Sequence, residues 1–489
     1  MQACVRVSAL PRNLLSIGLG LALCTGSVGA RTPVADMPRA QAGGGGAALP
    51  SQFARSMPAL RTTVASSPRL PAVQMVTTCD DDGPGSLRAA IGSAVSGDVI
   101  DLTQLTCSTI TLASTLSTSL DDLTLQGPGA SQLAIARDAA SSDYFRVMTH
   151  LGLGTLTLAD LTIRDGSLYF PMSHGGCIYA INSLLLTNAV VENCTVDATN
   201  SAGYGGYGGA IFVGQTLTLE NSTISDATLI GGRVFGGGAF VAGDLNMTRS
   251  AIVSNEVNMT GAQHYGAFGA GAAVAGSAII VDSLISENRA LSGYVGYGNV
   301  GGIDLFGRAG GARISNSTIS GNIANGKIGA VYSNTPLSIF NSTIAFNKSG
   351  VAGAAPYFAA GVKIYATTAT LQSTIIANNR IGTAELDLTG PDASVSGTDD
   401  LIMASLISPP GTLTADPLLQ PLADNGGATL THALPANSPA IDVGNNLQGL
   451  AFDQRGEGFA RVLGAQADIG AFESDSDHIF ADGFDTHTR

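Results

Sequence analysis

Cleaving or transforming a sugar polymer requires acids and bases that converge. This chain places acidic residues side by side at Asp80–Asp82, Asp121–Asp122 and Asp399–Asp400. Two carboxyl groups flanking a glycosidic bond could hydrolyse it. Carboxylates that hold a cation, with a basic residue to take a proton, could support elimination. These groups lie toward the two ends of the chain or on turns, and they do not recur on neighbouring segments of its middle. The acids of the middle, Asp165, Glu192, Asp226, Glu256 and Glu287, fall one to a repeat at turn positions, where solvation explains them. His150, His174, His264 and His432 are isolated. The sequence contains no nucleophile elbow, zinc-protease helix, phosphate-binding loop or calcium loop. The cysteine spacings do not suit zinc. No catalytic residue, metal ligand or cofactor is therefore expected.

The residues that do recur with regular spacing are aromatic. Glycine-rich loops carry Tyr169 and Phe170, Tyr204 and Tyr207, Phe235, Tyr265 and Phe268, Tyr294 and Tyr297, and Tyr357 and Phe358. Only the repeat around Lys327 lacks them. Rings recurring at one corner of a repeating structure form a stripe. Such rings can pack on each other, contributing ~1 kcal/mol per pair, or stand exposed as a contact surface. On the second reading Tyr204, Tyr207, Phe235, Tyr265, Phe268, Tyr294 and Tyr297 form a platform for a neutral glycan or a protein partner.

The elements that would position this stripe are strands. Eight segments between residues 156 and 381 repeat one phrase of alternating apolar residues, a Ser/Thr–Ile core and usually Asn, as in LTLENSTIS and ARISNSTISGN. Their core residues, Ile163, Val191, Ile224, Ile252, Ile285, Ile319, Ile344 and Ile375, are 25 to 34 residues apart. A fixed period of this size indicates a solenoid. Alternation at period two with β-branched residues indicates strands. A glycine-led strand precedes most phrases, for example GGAIFV at 208–213, GGIDLF at 301–306 and AGVKIY at 360–365. The fold class is thus all-β, a single right-handed parallel β-helix with a short N-terminal capping helix. Asn255, Asn288, Asn322, Asn347 and Asn378 each follow a core residue by three positions. They suit sharp left-handed bends and an amide ladder between coils.

The 489 residues carry a net charge of −14 and only three lysines, Lys327, Lys348 and Lys363. That balance opposes nucleic-acid binding and attraction to acidic polysaccharides by charge alone. Residues 1–30 read as a signal peptide, with Arg6 and Arg12 ahead of the apolar run Leu14–Leu23 and small residues at Val28 and Ala30. Cys24 raises lipidation, but Leu23 occupies a position where a small residue is needed. Residues 31–75 read as a flexible linker, and nothing later is apolar enough to span a membrane. Cys79, Cys107, Cys177 and Cys194 remain after signal removal, which suggests disulfides in an exported protein. Of three possible pairings, Cys79–Cys107 with Cys177–Cys194 is expected, because it staples neighbouring coils.

The segment VTTCDDDGPGSLRAAIGSAVSGDVIDL (76–102) resembles the opening of exported bacterial β-helix proteins related to the CSLREA type. Ser86 would cap a short helix whose apolar face is Leu87, Ala90, Ile91 and Ala94. ADPLLQPLADNGGATLTHALPANSPAIDVGN (415–445), DQRGEG (453–458) and ADIGAFE (467–473) resemble, in order, the choice-of-anchor Q region. The coils are similar to polymorphic outer-membrane protein repeats, without a C-terminal translocator barrel. The resemblance implies a β-helix at 76–410, a choice-of-anchor-like region at 411–473 and a sorting tail at 474–489. Asp442, Asp453, Arg455, Arg461, Asp468 and Glu473 would either pair to hold the terminal coil closed or bind a cation. Since β-helices also host polysaccharide lyases and glycoside hydrolases, an enzyme is the first alternative, and a structural envelope protein the second. The favoured reading is an exported or surface-displayed monomer, non-catalytic, that adheres to a glycan or cell-surface partner.

Overall fold

The structure is a computed structural model. It describes residues 71–475 except 171–172, 200–204, 261–265, 293–299, 308–309, 351–357, 366 and 391–392. The expected signal peptide, most of the linker and nearly all of the tail lie outside these residues.

The repeated phrases wind into a parallel β-helix. A representative coil contributes four strands: Ile211–Val213, Leu217–Glu220, Thr223–Ser225 and Thr228–Gly231. Stacking of equivalent strands produces four sheets, here called sheets one to four in that order, with ten, twelve, eleven and nine strands. Ladders between coils are parallel; the antiparallel exception joins Arg380–Ile381 to Ala384–Glu385. Parallel crossover connections of this kind run right-handed. Alternation puts one side chain of each pair into the lumen, and the lumen forms one continuous apolar core. Ile163, Val191, Ile224, Ile252, Ile285, Ile319 and Ile344 align there coil on coil.

In the next coil the aligned residue is Ile376, and Ile375 points out of the lumen. STIIAN offers two adjacent isoleucines, and the register takes the second. The amide ladder shifts with it. It runs Asn255, Asn288, Asn322, Asn347 and Asn379, each Nδ2 donating to the next Oδ1 at 2.8–2.9 Å. Asn378 is not a rung. It takes the left-handed bend just before the ladder, as do Ser254, Glu287 and Phe346 in earlier coils. The ladder asparagines need no positive φ.

At the N-terminus Ser86 caps α1 (Leu87–Ser93), its Oγ accepting from Ala89 N, and Leu87 and Ile91 are buried against the first coils. The expected linker extends too far, because Val73–Met75 pairs with Val99–Asp101. Cys79–Cys107 and Cys177–Cys194 are both disulfide-bonded, which fits an oxidising compartment. No described helix is long and apolar enough to cross a membrane.

Candidate functional site

Of the expected aromatic platform, Tyr204, Tyr265, Tyr294 and Tyr297 lie outside the described residues. Tyr207, Phe235 and Phe268 sit on a separate three-strand parallel ribbon, Gly206–Tyr207, Val234–Phe235 and Ala267–Phe268. Their rings stack along the rod at 5.4 and 4.7 Å between centroids, with nearly parallel planes. The expectation of an exposed surface fails for these residues. Tyr207 is 9% and Phe235 2% exposed, and Phe268 is partly buried. The cause is a second aromatic column on the outer face of sheet one. Tyr179, Phe212 and Phe240 are successive strand partners, stacked 5.0 and 5.6 Å apart. The ribbon folds over that column, and Tyr207 meets Phe240 edge-on at 4.8 Å. The two columns form an apolar pad distinct from the lumen. His174 is part of it, stacked on Phe212 at 5.2 Å. Burial, reinforced by nearby Arg146, lowers His174 to about 4.

The column of sheet one was legible in the middle residue of each glycine-led strand, which faces outward. Reading IYA, IFV, AFV, AAV, IDL, VYS and VKI coil by coil gives Tyr179, Phe212, Phe240, Ala273, Asp304, Tyr332 and Lys363, all in register. Past Ala273 the aromatic run gives way to an acid, a phenol and an amine on three consecutive coils. Asp304 is 2% exposed, and its Oδ1 has no hydrogen-bond partner among the described residues. Burial alone lifts its carboxyl to about 8.

Exposed aromatic side chains do occur elsewhere on the rod. Tyr144 and Tyr169 lie 5.4 Å apart, ring to ring. Tyr144 is 52%, Tyr169 37% and Phe170 58% exposed. Tyr169 ends the first strand of sheet four, so no preceding strand of that sheet covers it.

The charged residues of the C-terminal region pair with one another. The Arg455 guanidinium is held between the Phe459 and Phe472 rings at 4.0 and 3.8 Å and donates to Asp453 at 2.6 Å. Arg461 is fully buried, and it donates to Glu473 at 2.8 Å and to the carbonyls of Gly470 and Asp468. Asp468 accepts from Asp442 N. The pairing expected of this cluster is present. Neighbouring residues of the C-terminal region pack against the flank of sheet three. Thr318 donates to Gln454, Ser320 meets His432, Thr343 accepts from Ala471 N, and Ile375 packs with Leu434, Ile469 and Phe472. Among the described residues no group of three His, Cys, Asp or Glu could hold a metal ion.

No protein-family model and no curated protein matches the chain. Among solved structures, the crystal structure of pectate lyase Pel9A aligns with a TM-score of 0.46 and 14% identity, over 84% of this chain and 98% of that one.

Proposed function

We propose that this chain is an exported β-helix protein that binds a glycan or a cell-surface partner through aromatic side chains on its flank. The observation that carries the reading is the exposed trio Tyr144, Tyr169 and Phe170. Aromatic rings left in water lose apolar hydration when a sugar face or a partner side chain covers them, and they need no charge complementarity. A rod of net charge −14 fits a neutral ligand at this trio. The two disulfides support export, and the ordered motifs of residues 415–473 support a choice-of-anchor type of C-terminal region.

The test is the triple variant Tyr144→Ser, Tyr169→Ser and Phe170→Ser. All three side chains are well exposed, so melting should stay within a few degrees of wild type. Binding to a neutral glycan panel and to cells should fall at least tenfold. Unchanged adhesion by the folded variant would refute the reading. Cleavage of a polysaccharide by the wild-type protein would favour a lyase or hydrolase instead.

A further inference from the structure

We propose that the aromatic trio is the head of a longer site, an axial track on the outer face of sheet four that binds a straight, neutral β-1,4-linked glycan running along the rod. The track rests on the reading of the trio given above and names its ligand. Leu168, Val196, Leu229, Val257 and Ala290 point inward on this sheet and pack with Val234 and Ala267 of the three-strand ribbon. Their neighbours face outward. In register from coil to coil these are Tyr169, Asp197, Ile230, Asn258 and Leu291. Tyr169 is exposed and the other four are half-buried. This flank therefore differs from the outer face of sheet one, where the ribbon covers Phe212 and Phe240, and from the later coils of sheet three, which carry the C-terminal region.

The order of side chains along the track carries the assignment. Ring, carboxylate, branched alkyl, amide and branched alkyl alternate apolar with polar, one to a coil. A pyranose needs both kinds of partner, since it has an apolar face of C–H groups and hydroxyls around its edge. Tyr169, Ile230 and Leu291 offer apolar surface that gains by being covered. Asp197 Oδ1 accepts from Thr199 N, which fixes the carboxylate. A carboxylate only accepts, so it matches a sugar O–H, whereas the Asn258 amide can donate as well as accept. Strands of successive coils lie ~4.8 Å apart, so the five side chains are rooted over about 19 Å. A β-1,4-linked glucan is straight because both linkage bonds of each ring are equatorial, and it advances by nearly one coil per sugar. An α-1,4-linked chain curls and leaves a straight track after a few units. Beside the track Ser167, Thr195 and Thr228 add hydroxyls on three coils, and the row ends at Glu256, 4.0 Å from Arg289. The charges of that pair offset each other, and the carboxylate of Asp197 disfavours a polyanion.

The test is isothermal titration calorimetry of the full chain with cellopentaose, cellobiose and maltopentaose. Wild type is expected to bind cellopentaose with a Kd at or below about 1 mM and the other two at least tenfold more weakly. Asp197→Ala and Asn258→Ala should each weaken cellopentaose binding several-fold without a change in melting. If either fails to fold, Leu291→Ser at the far end of the track serves in its place. Equal affinity for the three sugars would overturn the track and leave the trio as the contact. So would wild-type affinity for cellopentaose in folded Asp197→Ala and Asn258→Ala. Absence of heat with millimolar cellopentaose would overturn the track, and the adhesion of the triple variant to cells then decides the trio separately. Wild-type binding of cellopentaose by the triple variant would overturn the trio and the track built on it together.

Discussion

Asn379 donates from Nδ2 to Asp387 Oδ1 at 2.8 Å, and this bond ends the amide ladder that begins at Asn255. Every earlier rung is an amide, because each must accept from the coil before and donate to the coil after. The last rung has no further amide to supply. A carboxylate, which only accepts, fits there. Its Oδ1 also accepts from Asn379 N and its Oδ2 from Ala404 N.

Replacing Asp387 by Asn would turn one of these acceptors into a donor facing a backbone N–H. The loss of one charge-assisted bond and the orphaning of a buried N–H together should cost about 1–3 kcal/mol. In mid-ladder, Asn322→Ala removes bonds to Asn288, Asn347 and the Ile285 carbonyl at once. It should cost more than the terminal substitution. Chemical denaturation of the two variants checks the order, and equal costs would contradict the polarity argument.

Three buried aspartates make stability depend on pH in one direction. Burial raises Asp304 to about 8, Asp400 to about 7 and Asp387 to about 6, against an ordinary 3.8. Between the unfolded and folded values the native state holds a proton that the unfolded state has lost. Stability contributed by these groups is therefore complete below about pH 4 and declines as pH rises through each folded value. Each pH unit in that window removes about 1.4 kcal/mol per group. Melting temperature should fall from pH 5 to pH 8.5, and Asp304→Asn should flatten the upper part of the curve. A melting temperature that rises over this range would contradict the assignment.

The coils were legible because they repeat. Alternation set which residues face the lumen, and seven of the eight core positions follow directly. The eighth was ambiguous because Ile375 and Ile376 are adjacent and equally apolar, and the C-terminal region decides between them by packing on the outward one. The aromatic spacing was legible too, but exposure was not. Whether Tyr207 and Phe235 stand in water depends on the ribbon meeting Phe212 and Phe240, a contact between segments that no local pattern encodes. The Asp304, Tyr332 and Lys363 row needed only alignment on the Gly-Gly strands. It was hidden because its members are three different residue types, each unremarked on its own coil.

The C-terminal region should be held to the rod chiefly by Arg461. This side chain is fully buried, and it bonds to Glu473 at 2.8 Å and to the carbonyls of Asp468 and Gly470. Gly470 in turn donates to Ser373 O and Ala471 to Thr343 Oγ1, so the cluster sets the segment that docks on the coils. Arg461→Ala would leave the Glu473 carboxylate buried without its cation, a loss of about 3–5 kcal/mol. Because the lumen is a separate core, that loss should appear as local release rather than global unfolding. Among the described residues, no hydrogen bond joins the coils before Asp282 to residues 411–473, and those coils should keep their amide protection. Limited proteolysis is expected to cut Arg461→Ala within 411–473 while leaving a resistant β-helix fragment. Hydrogen exchange should show lost protection at Ile375, Thr343 and Ser320 alone among the sheet-three strands. Uniform loss of protection along the rod would show instead that the C-terminal region and the coils unfold as one unit.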